Sequence, residues 1–156
     1  MYLIKMFPKT HIILGIIFSL ILIYFFNFSL LAGIIVFLSS VLIDVDHYLY
    51  YVYKKKDLNL KKAYNYFIGK IKKLKKLPER EKRKTYTSFC FLHGFEIMFI
   101  LSLLGFFFSF YFYYIILGFL FHLIFDYIDQ IKNHKRFDKI SLIYDFIKFR
   151  KLKYLE

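Results

Sequence analysis

Tryptophan is missing from this chain, cysteine occurs once and proline twice. The lone Cys90 excludes an internal disulfide, so no covalent staple holds the fold. At the head of an apolar segment it reads as a small buried hydrophobe. Two prolines leave long stretches without a strong helix breaker. The most informative absence is that of charge. No Asp, Glu, Lys or Arg occurs from residue 10 to residue 43, nor from residue 97 to residue 125. A soluble domain of 156 residues, 59% of them hydrophobic, does not gather its apolar residues into such blocks. Recognisable nucleophile motifs, phosphate-cradling glycine loops and nucleotide fingerprints are also absent, which leaves no sequence basis for those chemistries.

Each uncharged block is too long for one membrane crossing. The first holds 34 residues. As one helix it would run about 50 Å, against a hydrocarbon core of about 30 Å. Each block is therefore expected to be a helical hairpin, turning at Asn27-Phe28-Ser29 in the first and at Ser109-Phe110-Tyr111 in the second. The expected fold is an all-α integral membrane bundle forming a single domain over residues 1–156. Its four transmembrane helices lie near 10–26, 30–50, 85–108 and 112–132. The N-terminal run lacks a small-residue cleavage site and reads as a retained first helix rather than a signal peptide.

Basic residues assign an orientation. Two of them precede the first hairpin, fourteen lie between the hairpins and eight follow the second, which accounts for all 24. By the positive-inside rule, both termini and the middle segment face the cytoplasm of a multi-pass protein in the cell membrane. A net charge of +13 also suits nucleic acid, but no aromatic-basic RNA motif or helix-turn-helix pattern accompanies it. Membrane lipids, with anionic headgroups held by the basic segments, are the expected partners. Between the hairpins, Leu60, Tyr64, Phe67, Ile71 and Leu74 recur every three or four residues among lysines. This predicts an amphipathic helix over 57–77 with its apolar face on the membrane. The tail predicts a shorter amphipathic helix carrying Ile140, Ile143 and Ile147, with Asp138 as its N-cap and Asp145 paired with lysines.

Histidines and carboxylates interrupt the apolar segments, and in this topology they all fall at the cytoplasmic end. They are His11, Asp44, Asp46, His47, His93, Glu96, His122 and Asp126, with Asp129 close by. Ionisable groups inside a bilayer are costly and mark functional sites. Imidazole and carboxylate together suit a divalent cation: zinc first, with manganese or iron as alternatives, and with enough ligands for two ions. On helices, Asp44 with His47, His93 with Glu96, and His122 with Asp126 would each share a face. Asp46 would join them only if the backbone changes direction there, or would orient a ligand from behind. A carboxylate not used as a ligand, Glu96 or Asp46, is the candidate general base. His134, in a basic loop, reads as solvated.

These residues resemble a group of small membrane-bound, metal-dependent hydrolases that includes the LexA-binding, inner-membrane-associated hydrolases. The likeness covers most of the chain. It rests on the early His11, the Asp44-Val45-Asp46-His47 run, His93 with Glu96, and the Gly118-x-x-x-His122-x-x-x-Asp126 pattern. Two positions depart from it. Ile43 stands where a proline is usual, and Ser88-Phe89 stands where many members carry His-Arg, so one expected ligand is absent. The ligand order is more loosely similar to the all-helical zinc-dependent phospholipase C and nuclease superfamily. The resemblance implies a metal-dependent hydrolase acting on a lipid or an amphipathic (phospho)ester. Two other functions fit the same residues: a non-catalytic membrane adaptor with a structural polar or metal cluster, and an ion carrier, which would need oligomerisation to complete a path.

Overall fold

The computed structural model describes residues 8–86, 88–134 and 140–154. The described residues are mostly helical, joined by short turns and one longer non-helical stretch at 88–94, with a single pair of two-residue strands among them. The helices are α1 (Pro8–Phe25), α2 (Leu30–Leu42), α3 (Val45–Lys55), α4 (Leu60–Lys76), α5 (Glu79–Lys84), α6 (Phe95–Phe107), α7 (Tyr111–Asp129) and α8 (Leu142–Lys151), with a π-helical turn at Gln130–His134. Strand β1 (Thr85–Tyr86) pairs in parallel with β2 (Lys153–Tyr154), Thr85 opposite Lys153. Lys5 and the expected cap Asp138 lie outside the described residues.

Two compact units divide the chain. The first comprises residues up to Asp44 together with Phe95–Asp129; the second comprises Val45–Gly94 and the residues from Gln130 onward.

In the first unit, α1 and α2 form a hairpin. Asn27 takes a left-handed backbone (φ 55°), a conformation asparagine tolerates, and Ser29 caps α2 by accepting the Ala32 N–H. α6 and α7 form the second hairpin, with Ser109 and Phe110 in the turn and Tyr111 already helical. α2 packs on both α1 and α7. Small residues make these contacts close. A Cβ at Gly15 would lie 2.5 Å from Ser40 Oγ, and one at Gly118 would lie 2.5 Å from the Val36 carbonyl oxygen.

The first unit is apolar outside and partly polar inside. His11, Ser19, Ser39, Ser40 and His122 are buried, whereas Ile13, Phe25, Leu30, Phe106 and Phe107 are exposed. Small and polar residues between helices, with large apolar ones outside, is the pattern of helices packed in lipid. Two stretches, Leu30–Lys55 and Tyr111–Lys132, are long and apolar enough to cross a membrane.

Two of the expected helices differ from their sequence boundaries. The second does not run unbroken from 30 to 50: its hydrogen bonding turns at Ile43–Asp44, where the Asp44 N–H reaches back only to Val41. The third begins at Phe95 rather than 85, which leaves 13 helical residues. At about 1.5 Å per residue that is about 20 Å, shorter than a full hydrocarbon core. The cause lies in Thr85, Tyr86 and Leu92. Thr85 and Tyr86 pair as strand, as β-branched and aromatic residues favour. The Leu92 N–H is taken by the Asp46 carboxylate, which competes with a helical bond.

In the second unit, α4 packs on α3, and Ala63, Lys70 and Leu74 are its buried residues. The Lys70 ammonium sits 4.5 Å from the Tyr66 ring centre, a cation–π contact that offsets its burial. The expected apolar face of this helix is thus split: Leu74 is buried, whereas Leu60 and Tyr64 are exposed. A clasp joins α3 to α4. Asp57 accepts from Lys62 Nζ at 2.9 Å, from the Asn59 N–H and from the Tyr51 hydroxyl. The Lys62 bond, then the Asn59 bond, hold the Asp57 carboxyl below its ordinary value, and the same ion pair raises Lys62. In α8, Ser141 is the N-cap and Asp145 is almost completely buried.

Candidate metal centre

The first unit builds one cluster from helix spacing and close packing. Gly118, His122 and Asp126 follow one another every four residues on α7, and so share a face. His11 stands four residues before Gly15 on α1, and Asp44 four after Ser40. The glycines let α1 and α7 close on the Ser39–Ser40 stretch of α2. One turn further along, the polar side chains meet.

There the His122 and His11 rings stack with centroids 3.9 Å apart. His122 Nδ1 lies 2.7 Å from the Ser40 carbonyl oxygen. A carbonyl only accepts, so Nδ1 carries the proton and donates. His122 Nε2 then faces the Asp44 and Asp126 carboxylates, each at 3.6 Å. His11 Nε2 lies 3.2 Å from Asp126 Oδ1.

Distances of 3.6 Å exceed hydrogen-bond length. They match the edge of a tetrahedral ligand set. Ligands about 2.1 Å from a shared zinc stand about 3.4 Å from each other. Nitrogen and oxygen donors of His11, His122 and Asp126 lie within 4.8 Å of one another. The donor set, the fixed tautomer and the burial all fit a divalent cation.

Helix geometry sets the level of this cluster. α2 and α7 run in the same direction, since Gly118 meets Val36 and His122 meets Ser40 and Asp44. Counted from the turn ends of their helices at about 1.5 Å per residue, His11, Asp44, His122, Asp126 and Glu96 stand about 21, 21, 17, 23 and 17 Å along. All five occupy one layer, far from the turns. Glu96 opens α6 half-buried and is outside the His11–His122–Asp126 donor group.

The second unit builds another cluster. Asp46 Oδ2 lies 2.8 Å from His93 Nδ1 and 3.0 Å from the Leu92 N–H, with Asp46 and His93 fully buried. A carboxylate oxygen bound by two donors fixes the His93 tautomer and leaves Nε2 as the ring's donor atom for a metal, the arrangement of carboxylate–histidine–metal sites. His47 lies with its ring centroid 5.4 Å from that of His93, and Asp46, His47 and His93 offer donor atoms within 4.8 Å of one another. His47 also meets the edge of Phe67.

The pairs expected from spacing are thus redistributed. His122 with Asp126 stays together. Asp44 faces His122, and His47 stands with Asp46 and His93, with the turn at Ile43–Asp44 between the two positions in the chain. His93 precedes α6 rather than sharing a helix face with Glu96. Asp129 ends α7. His134 lies in the π-helical turn, and its side chain is outside the described residues.

Four residues take parts that sequence reasoning did not assign. The Ser40 carbonyl orients His122 and has no sequence signature. Cys90 is buried outside any helix, its sulfur 3.4 Å from His47 Nδ1 and 3.5 Å from the Ser88 hydroxyl. The contacts of Gly15 and Gly118 were legible only as small residues four positions from histidines. The chain matches no family model, no curated protein and no solved structure.

Proposed function

We propose that the protein is a membrane-embedded, metal-dependent hydrolase. In this reading the helices of the first unit cross the cell membrane as four spans. Both termini and the basic middle segment are cytoplasmic, and the polar layer lies toward that face. His11, Asp44, His122 and Asp126 hold one divalent cation, zinc first among candidates. His47 and His93, with Asp46, form the second ligand set. The observation that carries the reading is His122: its tautomer is set by a backbone carbonyl so that Nε2 is directed at two carboxylates at tetrahedral ligand spacing.

A cation held there supplies Lewis acidity and acidifies a bound water. The chain's own groups supply the rest. Ser40 and Asp46 hold the two imidazoles in their metal-facing tautomers. Glu96, a carboxylate of the same layer outside the His11–His122–Asp126 group, is the candidate proton acceptor, whereas Asp46 is engaged in positioning His93. The apolar exterior of the first unit favours a substrate that reaches the site from the membrane, a lipid or an amphipathic ester or phosphoester.

Metal analysis of the full chain purified in detergent tests this. The wild type is expected to retain stoichiometric transition metal, and His122→Ala or Asp44→Ala to lose it. Metal-free wild type, or metal content unchanged in both variants, would refute the site. A second reading, a membrane adaptor with a structural cluster, is favoured by Ser88-Phe89 in place of His-Arg. Metal bound at full occupancy without hydrolysis of any ester-bearing amphiphile would decide for it.

A further inference from the structure

An apolar pocket of about 250 Å³ opens in the second unit, lined by Leu49, Tyr50 and Tyr53 of α3 and by Phe89 and Phe91. Its two walls have different backbones. On α3, Asp46, Leu49, Tyr50 and Tyr53 fall at i, i+3, i+4 and i+7, so the stripe that lines the pocket is headed by Asp46. The other wall is non-helical. There Phe89 and Phe91 flank Cys90, which is buried against His47, and the segment continues through Leu92 to His93. Asp46 bonds both Leu92 and His93, so this buried pair ties together the two backbone segments that line the pocket without itself lining it.

Size and chemistry narrow the occupant. At about 250 Å³ the pocket is smaller than the roughly 300–1,000 Å³ of sites that enclose whole drug-sized ligands, and suits one narrow group. Its lining is almost wholly apolar, so it offers little to a sugar, nucleotide or charged peptide. The rim is open: Tyr53 is 75% exposed and Leu49 45%.

We infer that this pocket is the chain-binding subsite of the enzyme, holding one acyl or alkyl chain of an amphiphile whose ester or phosphoester lies at the Asp46–His93 end. The inference rests on the hydrolase reading for the chemistry at that end. The chain site itself stands on the pocket alone. Along the helix, Leu49 is about 4.5 Å and Tyr53 about 10.5 Å beyond Asp46, so the chain segment nearest the linkage is the part recognised.

The test uses the full chain in phosphatidylcholine nanodiscs doped with a phosphatidic acid whose acyl chain carries a photoreactive diazirine. Crosslinks are expected in the peptides containing Leu49–Tyr53 and Phe89–Phe91. n-Alkyl phosphates should compete, each added methylene tightening binding about fourfold, equivalent to about 0.8 kcal/mol, until the pocket is full. Leu49→Trp, which fills the pocket, should abolish those crosslinks while metal content stays at the wild-type level. Phe91→Ala, which enlarges it, should move the plateau to longer chains. Crosslinks spread over exposed residues such as Ile13 and Phe106, or pocket crosslinks indifferent to both variants and to chain length, would overturn the proposal. Pocket labelling in a protein that binds no metal would uphold the chain site and refute the hydrolase reading.

Discussion

Gly118→Ala probes how the packing of α2 and α7 makes the first cluster. The added methyl would stand 2.5 Å from the Val36 carbonyl oxygen and 3.0 Å from the Ser40 nitrogen. Both are backbone atoms that cannot rotate away. A carbon–oxygen contact needs about 3.3 Å, so the helices must part locally by about 0.8 Å. His122 lies one turn further along, its Nδ1 2.7 Å from the Ser40 oxygen. The same displacement stretches that bond to about 3.5 Å, beyond hydrogen-bond range. Overpacking costs about 1–3 kcal/mol and the lost bond about 1 kcal/mol, so the variant should be destabilised by about 2–4 kcal/mol. With the imidazole no longer held, metal affinity should fall about 10–100-fold, the effect of losing an orienting partner. Circular dichroism during denaturant titration in mixed micelles reads the first quantity, and competition with a chelator of known affinity reads the second. A Gly118→Ala protein with wild-type stability and wild-type metal affinity would refute the argument that this glycine sets the site.

Gly69→Ala is the contrasting case: a Cβ there meets nothing within 4 Å, so helix propensity alone should raise stability by about 0.8–1 kcal/mol in the same titration. The Asp57 clasp should respond to acid. A carboxyl held below its ordinary value contributes stability above the ordinary aspartate range and loses it as pH falls through the lowered value, so the Asn59 amide resonance should shift on acidification and Asp57→Asn should abolish the shift. Lys62, raised by the same pair, contributes below the ordinary lysine range and loses that contribution as pH rises through its raised value. For the proposed topology, single cysteines at Asn27 or Ser109 in a Cys90→Ala background should react with an impermeant maleimide from outside intact cells; reaction from the cytoplasmic side alone would reverse it.

The helical class, the first hairpin and one half of the first cluster follow from local sequence. Uncharged runs of apolar residues leave helix as the structure that satisfies its own backbone, Asn27 and Ser29 supply a turn and a cap, and a four-residue spacing puts His122 and Asp126 on one face wherever α7 packs. These properties depend on residues within a turn or two of each other. What only the tertiary structure decided depends on residues far apart. Asp46 accepts a backbone N–H 46 residues away at Leu92, and with it the segment before Phe95 leaves the helix and His93 is turned by Nδ1. Asp44 and Asp46, two positions apart, face different histidines, His122 and His93, on either side of the break in helical hydrogen bonding at Ile43–Asp44. The Ser40 carbonyl orients His122 because Gly118 admits close approach, and Cys90 meets His47 because it lies outside the helix its apolar neighbours suggested. Hydrophobic periodicity records which face of a helix is apolar, but not where a distant carboxylate will claim a backbone donor and end it.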